Sequence, residues 1–546
     1  MMHQKSIFAA LAFTGLFIGS SVCAALTMEV VGSYPDAPIA DWFDEGGAEA
    51  IGYDAATQLV AITNRATQSV HIVSIADPAA PELVWEVDVT PYGLEPTNLD
   101  LKNGLLAITV RAHEVTDNGT VVLVHLDYPG AACPKAIPVG PLPDAVKFTP
   151  DGKSLVVLNE GEPNNRYTVD PEGSISIIKL GNLKVRTADF KRFNRFESLL
   201  KRRGIRIYGP GASVAQDLEP EYLTISQDSR TAWVTLQENN AMAVVDLHSA
   251  KVTRLVPLGY KAHWLPGNEM DASDKDDEIN IQNWPVLGMY QPDGIASFQS
   301  WGRTWLITAN EGDARDYIYK EETGELDDDG KPIVEEIVAY SEEARVNDLN
   351  LLDVYENYWP DLQKKGNLGR LKTTTSPPFG KFVDENGDEV YSQIYAYGAR
   401  SFSIWDTHGR QVFDSGAEFE LLTAELAPHG FNANNDDNDA DKRSDDKGPE
   451  PEGVVVGNID GALYAFITLE RVGGVIVYDV SIPWSPSFVT YVNHRDFKGD
   501  PKKGEAGDLA PEGIVFISAD QSPTGTPLLA VANEVSGNAT IFQILP

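Results

Sequence analysis

The 546-residue sequence is poor in cysteine, with only Cys23 and Cys133. Removal of the N-terminal leader described below would also remove Cys23, so the mature chain could form no internal disulfide. Two thiols further exclude a zinc site built from four thiolates. Stability must therefore come from packing, with bound ions as a possible supplement.

Long apolar runs are scarce as well. One run extends from Ile7 to Ile18, after the basic Lys5 and before small residues that end at Ala24. This pattern predicts a Sec signal peptide over residues 1–24, and the run is too short to favour a membrane-spanning helix. No later stretch approaches spanning length, so we expect a periplasmic or extracellular protein without a transmembrane anchor.

Basic residues are outnumbered: 81 Asp and Glu stand against 43 Lys and Arg, a formal net charge of −38. Such a charge repels nucleic acid and anionic lipid headgroups, so nucleic acid is not an expected partner. It suits divalent cations, although simple solvation of an acidic surface explains many of the charges.

A degenerate repeat runs through most of the chain. Each copy has an acidic opening, an alternating apolar strand, a polar turn and a second strand that often ends in Asn, Gln or Glu. Examples are "LPDAVKFTPDGKSLVVLNEGE" from Leu142, "QPDGIASFQSWGRTWLITANEGD" from Gln291 and "PEPEGVVVGNIDGALYAFITLER" from Pro449. Further copies begin at Gly47, Leu94, Leu218 and Ala510.

A third strand and often a fourth follow each copy, and four antiparallel strands per repeat predict an all-β fold, a β-propeller. The stretch from "NLGRLKTTT" to "SIWDTHGRQVFDSG" resembles a further blade, which gives about eight blades, with seven as the alternative. The strand "LTMEVVGSY" is spare and could complete the last blade. We expect one propeller domain over residues 27–546.

The acidic openings should converge, because the first strand of every blade lies nearest the propeller axis. The carboxylates expected at this mouth are Glu49, Glu95, Asp144, Glu219, Glu221, Asp293, Glu450, Glu452 and Glu512. The second-strand ends add Glu160, Glu238, Glu311, Glu470 and Glu534. Converging carboxylates need protons, arginines or a metal cation to offset their repulsion.

Four insertions interrupt the repeat, near residues 187–213, 262–290, 312–391 and 428–449. The first predicts a short amphipathic helix with Phe190, Phe193, Phe196 and Leu200 on one face. The third contains two expected hairpins with acidic turns. The second and fourth are acidic loops, and the fourth contains Asp436 and Asp445 and runs directly into an acidic opening.

Eight longer motifs resemble the choice-of-anchor I family across nearly the whole mature chain. They are "NEGEPNNRYTVDPEGSISII", "GPGASVAQDLEPEY", "TLQENNAMAVVDL", "NWPVLGMYQPDGIAS", "TANEGDARDY", "YGARSFSIWD", "RSDDKGPEPEGV" and "VANEVSGNATIF". The resemblance implies an exported propeller of the YVTN and quinoprotein type with a link to calcium. Some members of the family carry the label alkaline phosphatase.

Two functions compete at this point. The first is an exported calcium-binding propeller that contacts a polysaccharide or a surface protein. The alternative is a calcium-dependent phosphomonoesterase, in which Arg315, Arg400 or Arg471 would stabilise charge on the phosphate ester. The candidate metal ligands are Glu160, Glu219, Glu221, Asp293, Glu311, Asp313, Glu450, Glu452, Glu512, Asp436 and Asp445.

Overall fold

The computed structural model of the protein describes residues 26–35, 42–126, 134–326 and 332–545. The predicted signal peptide, residues 1–24, and both cysteines lie outside these ranges. Within them, strands dominate and the helices are short.

The first half of the described chain contributes β1 and four consecutive four-stranded antiparallel sheets. Strand β1 is Thr27–Tyr34, and the first sheet is β2 Ile51–Asp54, β3 Leu59–Asn64, β4 Ser69–Ser74 and β5 Glu82–Asp88. The second is β6 Glu95–Lys102, β7 Leu105–Arg111, β8 Asn118–His125 and β9 Lys135–Pro141. The third is β10 Pro143–Phe148, β11 Ser154–Asn159, β12 Ser174–Lys179 and β13 Lys184–Asp189, and the fourth is β14 Leu223–Ile225, β15 Thr231–Leu236, β16 Ala241–Asp246 and β17 Lys251–Pro257.

The second half contributes three more four-stranded sheets and several short insert strands. The insert strands before and within the fifth sheet are β18 Tyr260–Ala262, β19 Val286–Met289, β22 Asp316–Leu326, β23 Pro332–Ser341, β24 Glu343–Arg345, β25 Lys372–Thr374, β26 Lys381–Val383, β27 Glu389–Tyr391 and β28 Ile394–Ala396. The fifth sheet itself is β20 Ile295–Ser300, β21 Arg303–Asn310, β29 Ser401–Asp406 and β30 Gln411–Asp414. The sixth is β31 Pro451–Ile459, β32 Ala462–Leu469, β33 Val475–Asp479 and β34 Ser487–Val492, and the seventh joins β35 Pro511–Ile517, β36 Leu528–Asn533 and β37 Asn538–Leu545 to β1.

The second strand of each sheet explains why the core forms here. Strands β3 and β36, for example, are buried at every position and combine small with β-branched residues, which pack well between two sheets. Tight turns lead into second strands, and an example is Asn103–Gly104 before β7, where both residues have positive φ. Apolar side chains of adjacent sheets then interlock into continuous clusters.

The first strands of successive sheets lie side by side. Contacts connect β2 with β6, β6 with β10, β10 with β14, β14 with β20, β20 with β31, β31 with β35 and β35 with β2. This is the β-propeller arrangement that the repeats predict. The acidic openings of the repeats therefore lie on neighbouring strands.

The stretch interpreted as an additional blade belongs to the fifth sheet instead. Its strands β29 and β30 pair with β21 and complete a sheet that β20 begins. The insertion between β21 and β29 separates the two halves of this sheet by 90 residues, so the second half resembles an independent unit in the sequence. The described residues thus hold seven four-stranded sheets.

The insertions form small elements around the sheets. Strands β18, β19 and β28 form a three-stranded sheet, and the two expected hairpins are present as β22–β23 and β26–β27. The short helices are α1 Glu197–Arg202, α2 Val214–Asp217, α3 Val354–Tyr358 and α4 Glu418–Leu426, together with 3₁₀ helices at Lys191–Phe196, Val346–Asp348, Pro428–Gly430 and Pro501–Lys503.

The predicted amphipathic helix is only partly correct. A 3₁₀ turn, Lys191–Phe196, leads into α1, and Phe190, Phe193 and Leu200 are buried as expected. Phe196, the last residue of the 3₁₀ turn, is instead 38% exposed.

Candidate metal centre

A cavity of about 690 Å³ lies between the first strands of the sheets. Its lining is strongly acidic. The carboxylates are Glu49, Asp100, Asp144, Glu221, Asp293, Glu311, Asp313, Glu452, Glu470, Glu512 and Glu534, and the cationic side chains are Lys147, Lys447 and Arg471. The cavity therefore concentrates negative charge where the surrounding strands limit access of water.

One group of the lining acids is marked by proline. Five carboxylates directly follow a proline at a sheet opening, and all five line the cavity. They are Asp144, Glu221, Asp293, Glu452 and Glu512. Proline is tolerated there because the start of a strand needs no ladder hydrogen bond from that residue.

The backbone at these openings is unusual. The residue before the proline has a φ of 41° at Leu142, 37° at Gln291, 52° at Glu450 and 54° at Ala510. Left-handed backbone at a non-glycine residue costs about 1–3 kcal/mol, so the surrounding fold must maintain it. In three sheets the pairing register also shifts just after the proline, and such bulges re-aim side chains.

Acids that precede a proline have a different environment. Glu95 accepts from Arg111 Nε at 2.8 Å, and Glu219 accepts from Arg315 Nη2 at 2.6 Å. Glu450 is fully buried and contacts Arg443, Lys447 and Arg471. These three carboxylates were expected at the mouth, but ion pairs hold them outside the lining of the cavity.

Buried asparagines fix the ends of the second strands. Asn159 Nδ2 donates to Ser174 Oγ and Ser176 Oγ, and Asn310 Nδ2 donates to Ser401 Oγ and Ser403 Oγ, at 2.9–3.2 Å. Because these bonds clamp the strand end to the third strand, the following glutamate is positioned by a rigid element. Glu311 and Glu534, which follow Asn310 and Asn533, line the cavity in this way.

Three of the lining acids form a compact group. One carboxylate oxygen from each of Asp293, Glu311 and Glu452 lies within 4.8 Å of the others. Glu452 is 8% exposed, and its Oε2 has no hydrogen-bond partner within the described residues. A buried carboxylate oxygen without a donor is costly unless a proton or a cation satisfies it.

Burial perturbs the acidity of this group. Burial raises the pKa of Asp293 to about 6, although a hydrogen bond with Glu452 acts in the opposite direction and lowers this pKa. Burial, and then the charges of Glu311 and Asp293, raise the pKa of Glu452 well above its ordinary value. Burial also raises the pKa of Glu49 to about 7 and that of Glu470 to about 8. Protons therefore compete with any cation for these oxygens near neutral pH.

A second group, Glu311, Glu450 and Glu470, shares Glu311 with the first. It already contains cations of the chain. Lys447 Nζ contacts Glu311 Oε1 and lies 3.0 Å from Glu450 Oε2, and Arg471 Nη2 lies 3.2 Å from Glu470 Oε1. Burial would raise the pKa of Glu450, but Arg443, Lys447 and Arg471 together lower it below its ordinary value. Within this group, Glu450 is thus neutralised by cations of the chain.

The other predicted ligands are dispersed. Glu160 is buried beside Glu162 and Glu221 without lining the cavity, and burial raises its pKa well above the ordinary value. Asp436 is exposed on its loop. Asp445 is buried but accepts from Arg345 at 2.9 Å and Arg370 at 2.7 Å. The structure brings together Glu221, Asp293, Glu311, Asp313, Glu452 and Glu512 from the predicted set.

The three candidate arginines differ in position. Arg315 is buried in ion pairs with Asp217 and Glu219, outside the cavity lining. Arg400 is buried too, and it donates to Glu420 Oε1 at 2.6 Å and to three backbone carbonyls. Arg471 alone of the three lines the cavity, where it contacts Glu450 and Glu470.

Two cationic side chains near this site, Lys447 and Arg65, were not predicted from the sequence. Lys447 lies in an acidic loop directly before the opening of the sixth sheet. This position was the only feature of the sequence that could have indicated its contact with the acids. Arg65 contacts Glu49 at 3.0 Å and Glu95 at 3.4 Å. Arg65 follows Asn64, whereas in other repeats a glutamate follows the corresponding asparagine. Alignment of the repeats against one another would therefore have revealed an arginine in place of this glutamate.

The chain is similar to named proteins and to solved structures. The chain is 30% identical over 198 residues to Gigasin-3a of Magallana gigas, covering 34% of this chain and 67% of that protein. It is 26% identical over 286 residues to the mesenchyme-specific cell surface glycoprotein of Strongylocentrotus purpuratus, covering 49% of this chain but only 35% of that protein. The WD40 domain of Toxoplasma gondii coronin superposes with a TM-score of 0.41 at 10% identity, covering 95% of this chain and 86% of that chain.

No helix in the described part of the chain is long and apolar enough to cross a membrane. The model of the choice-of-anchor I domain matches residues 49–483, a range that begins at the cavity acid Glu49 and includes six of the seven sheet openings. The chain therefore belongs to the choice-of-anchor I family.

Proposed function

We propose that the protein is a surface-associated β-propeller that binds calcium in its central cavity through Asp293, Glu311 and Glu452. One observation carries the proposal: Glu452 Oε2 is buried among carboxylates and has no donor within the described residues. A cation at this point would satisfy that oxygen and offset the repulsion between the three acids.

The chemistry of the ligands favours calcium over softer metals. All three groups offer carboxylate oxygens, and neighbouring Asp313 and Glu470 can add more from the same cavity. Calcium takes six to eight oxygen ligands in flexible geometry, including water, whereas zinc and copper prefer histidine or cysteine. Histidine and cysteine are both absent from the lining residues.

The proposal includes a closed ring of seven blades. Support comes from the contacts between first strands, which return from β35 to β2, and from the antiparallel pairing of β1 with β37, where Thr27 stands opposite Leu545. A closed ring fixes the relative positions of acids that are hundreds of residues apart, and it leaves no open sheet edge between first and last blades.

Surface association is supported by family membership and by the name of the sea-urchin relative, a cell surface glycoprotein. An exported location, periplasmic or extracellular, agrees with the predicted signal peptide. The contacts favour binding over phosphate-ester hydrolysis, because Arg315, Arg400 and Arg471 are all engaged by carboxylates.

Thermal melting tests the proposal. The protein is stripped with EDTA and melted with and without calcium, alongside Asp293→Asn/Glu452→Gln and the exposed control Asp436→Asn. Calcium at 100 times its Kd should stabilise the wild type and the control by about 2.7 kcal/mol, since only the folded state binds the ion. The double variant should show no calcium-dependent rise. An equal rise in all three proteins would refute the proposed site.

A further inference from the structure

A basic segment interrupts the acidic surface at the outer edge of the third sheet. Residues 184–203, here called the basic rim segment, contain eight Lys or Arg and only two acids, Asp189 and Glu197. The segment comprises β13, the 3₁₀ turn and α1. Because β13 is the fourth strand of its sheet, the segment faces away from the central cavity.

Several of its cations are free. Lys191 pairs with Glu172 and Lys201 with Glu197. Arg202 and Arg203 are exposed, and within the described ranges their side chains form no hydrogen bond or ion pair. Arg195 is exposed and only covers the ring of Phe196, 4.7 Å from its centroid. These guanidinium groups are available to an external anion.

Apolar side chains stand among these cations. Phe196 is 38% exposed and Leu199 is 45% exposed, while Phe193 and Leu200 anchor the segment in the core. Exposed aromatic and aliphatic groups between arginines match the interface of an anionic bilayer, where cations meet headgroups and apolar groups enter the acyl boundary. A hydrophilic polyanion would bind the cationic side chains, but contact with Phe196 and Leu199 would add little to its affinity.

The net charge of −38 does not prevent such contact. The Debye length is about 8 Å at physiological ionic strength, so acids on distant faces are largely screened at the rim. The same overall charge favours an approach through the basic rim segment, because the rest of the chain carries a net negative charge that an anionic surface repels.

We propose that the basic rim segment docks the protein on an anionic lipid bilayer, with the cavity left open. This proposal is independent of calcium binding. Its test therefore contains EDTA, which also removes calcium bridges between lipid and acidic side chains, and failure of the cavity site would leave the result unchanged.

Cosedimentation with vesicles provides the test. The full chain should bind vesicles of equal parts phosphatidylglycerol and phosphatidylcholine and should dissociate from them at high salt. It should not bind vesicles of pure phosphatidylcholine. Arg195→Gln/Arg202→Gln/Arg203→Gln should weaken partitioning by about 100-fold, given what each cation contributes near an anionic surface. The matched control Lys498→Gln/Lys502→Gln/Lys503→Gln removes three cations from another part of the chain and should change binding less than about threefold.

Phe196→Ser/Leu199→Ser distinguishes a bilayer from a soluble polyanion. It should weaken vesicle binding at constant salt while preserving the salt dependence, and melting curves would verify that all variants remain folded. Wild-type vesicle binding by the arginine variant would overturn the proposal. So would full vesicle binding by the serine variant, or binding to alginate without binding to vesicles.

Discussion

Glu450 and Glu452 flank Pro451 and have opposite surroundings. Glu450 is enclosed by three cationic side chains, whereas Glu452 faces the cavity with an unpartnered oxygen. The same division holds at Pro220, where Glu219 pairs with Arg315 and Glu221 lines the cavity. The acid before the proline therefore contributes to the fold, and the acid after it is available for a ligand.

The ion pair of Arg315 gives the first prediction. Arg315→Met leaves Asp217 and Glu219 buried without a cation and should lower the free energy of unfolding by about 3–5 kcal/mol. The control Arg166→Met removes a pair that is half exposed on both sides and should cost less than about 1 kcal/mol. Urea denaturation measures both. Similar losses in the two variants would show that the buried pair is not structural.

Lys447 gives a second prediction, because it acts as an internal cation between Glu311 and Glu450. Lys447→Met should destabilise the protein by about 3 kcal/mol in EDTA and should enlarge the stabilisation by calcium, since the ion can replace the lost ammonium group. Lys320→Met, from an exposed pair with Glu336, is the control. A smaller calcium response in the Lys447 variant than in the wild type would contradict this role.

At the level of elements, the strands could be predicted from local sequence patterns, but the sheet to which each strand belongs could not. Alternation and turn residues predicted the strands of seven repeats and the role of the spare strand β1, which pairs with β37. The third and fourth strands of the fifth sheet were assigned to an additional blade, because pairing between β21 and β29 depends on contacts across an insertion of 90 residues. Local sequence holds no information about such a distant partner.

Strand β1 carries the third prediction. Met28 is 6% exposed and packs in one cluster with Phe542 and Ile544 from β37. Met28→Asp places an unpaired charge in that cluster and should cost about 3 kcal/mol or more, with one cooperative melting transition shifted downwards. The neighbouring exposed residue provides the control, Glu29→Gln, which should change stability by less than about 0.5 kcal/mol. An unchanged melting temperature in Met28→Asp would argue against a closed ring.

At the level of the whole molecule, the first strands of the sheets bring together charge that no single segment has. The sequence predicted convergence of the acids, and six of the nine acids at the openings line the cavity. Comparison of the repeats could have revealed Arg65, but the sequence could not assign Lys447 and Arg443, because both contact Glu450 from an irregular loop. Which carboxylates remain unpaired is therefore a property of the folded protein.

This concentration of buried acids predicts an unusual pH dependence. Carboxyl groups whose folded pKa is raised bind more protons in the folded state, so the stability they contribute is lost as pH rises from about 4.5 towards 8. The pKa values of about 6 for Asp293, 7 for Glu49 and 8 for Glu470 define this window. In EDTA, the melting temperature should fall as the pH is raised from 5 to 8, and calcium should reduce this fall. A midpoint in EDTA that rises across this range would contradict the assignment.

The most direct test of the calcium site is anomalous X-ray diffraction from crystals of the full chain grown with calcium. The account predicts a calcium peak in the central cavity at about 2.3–2.6 Å from oxygens of Asp293, Glu311 and Glu452, the usual range for this ion. A cavity without a peak, or a peak confined to the loops that carry Asp436 and Asp445, would contradict it.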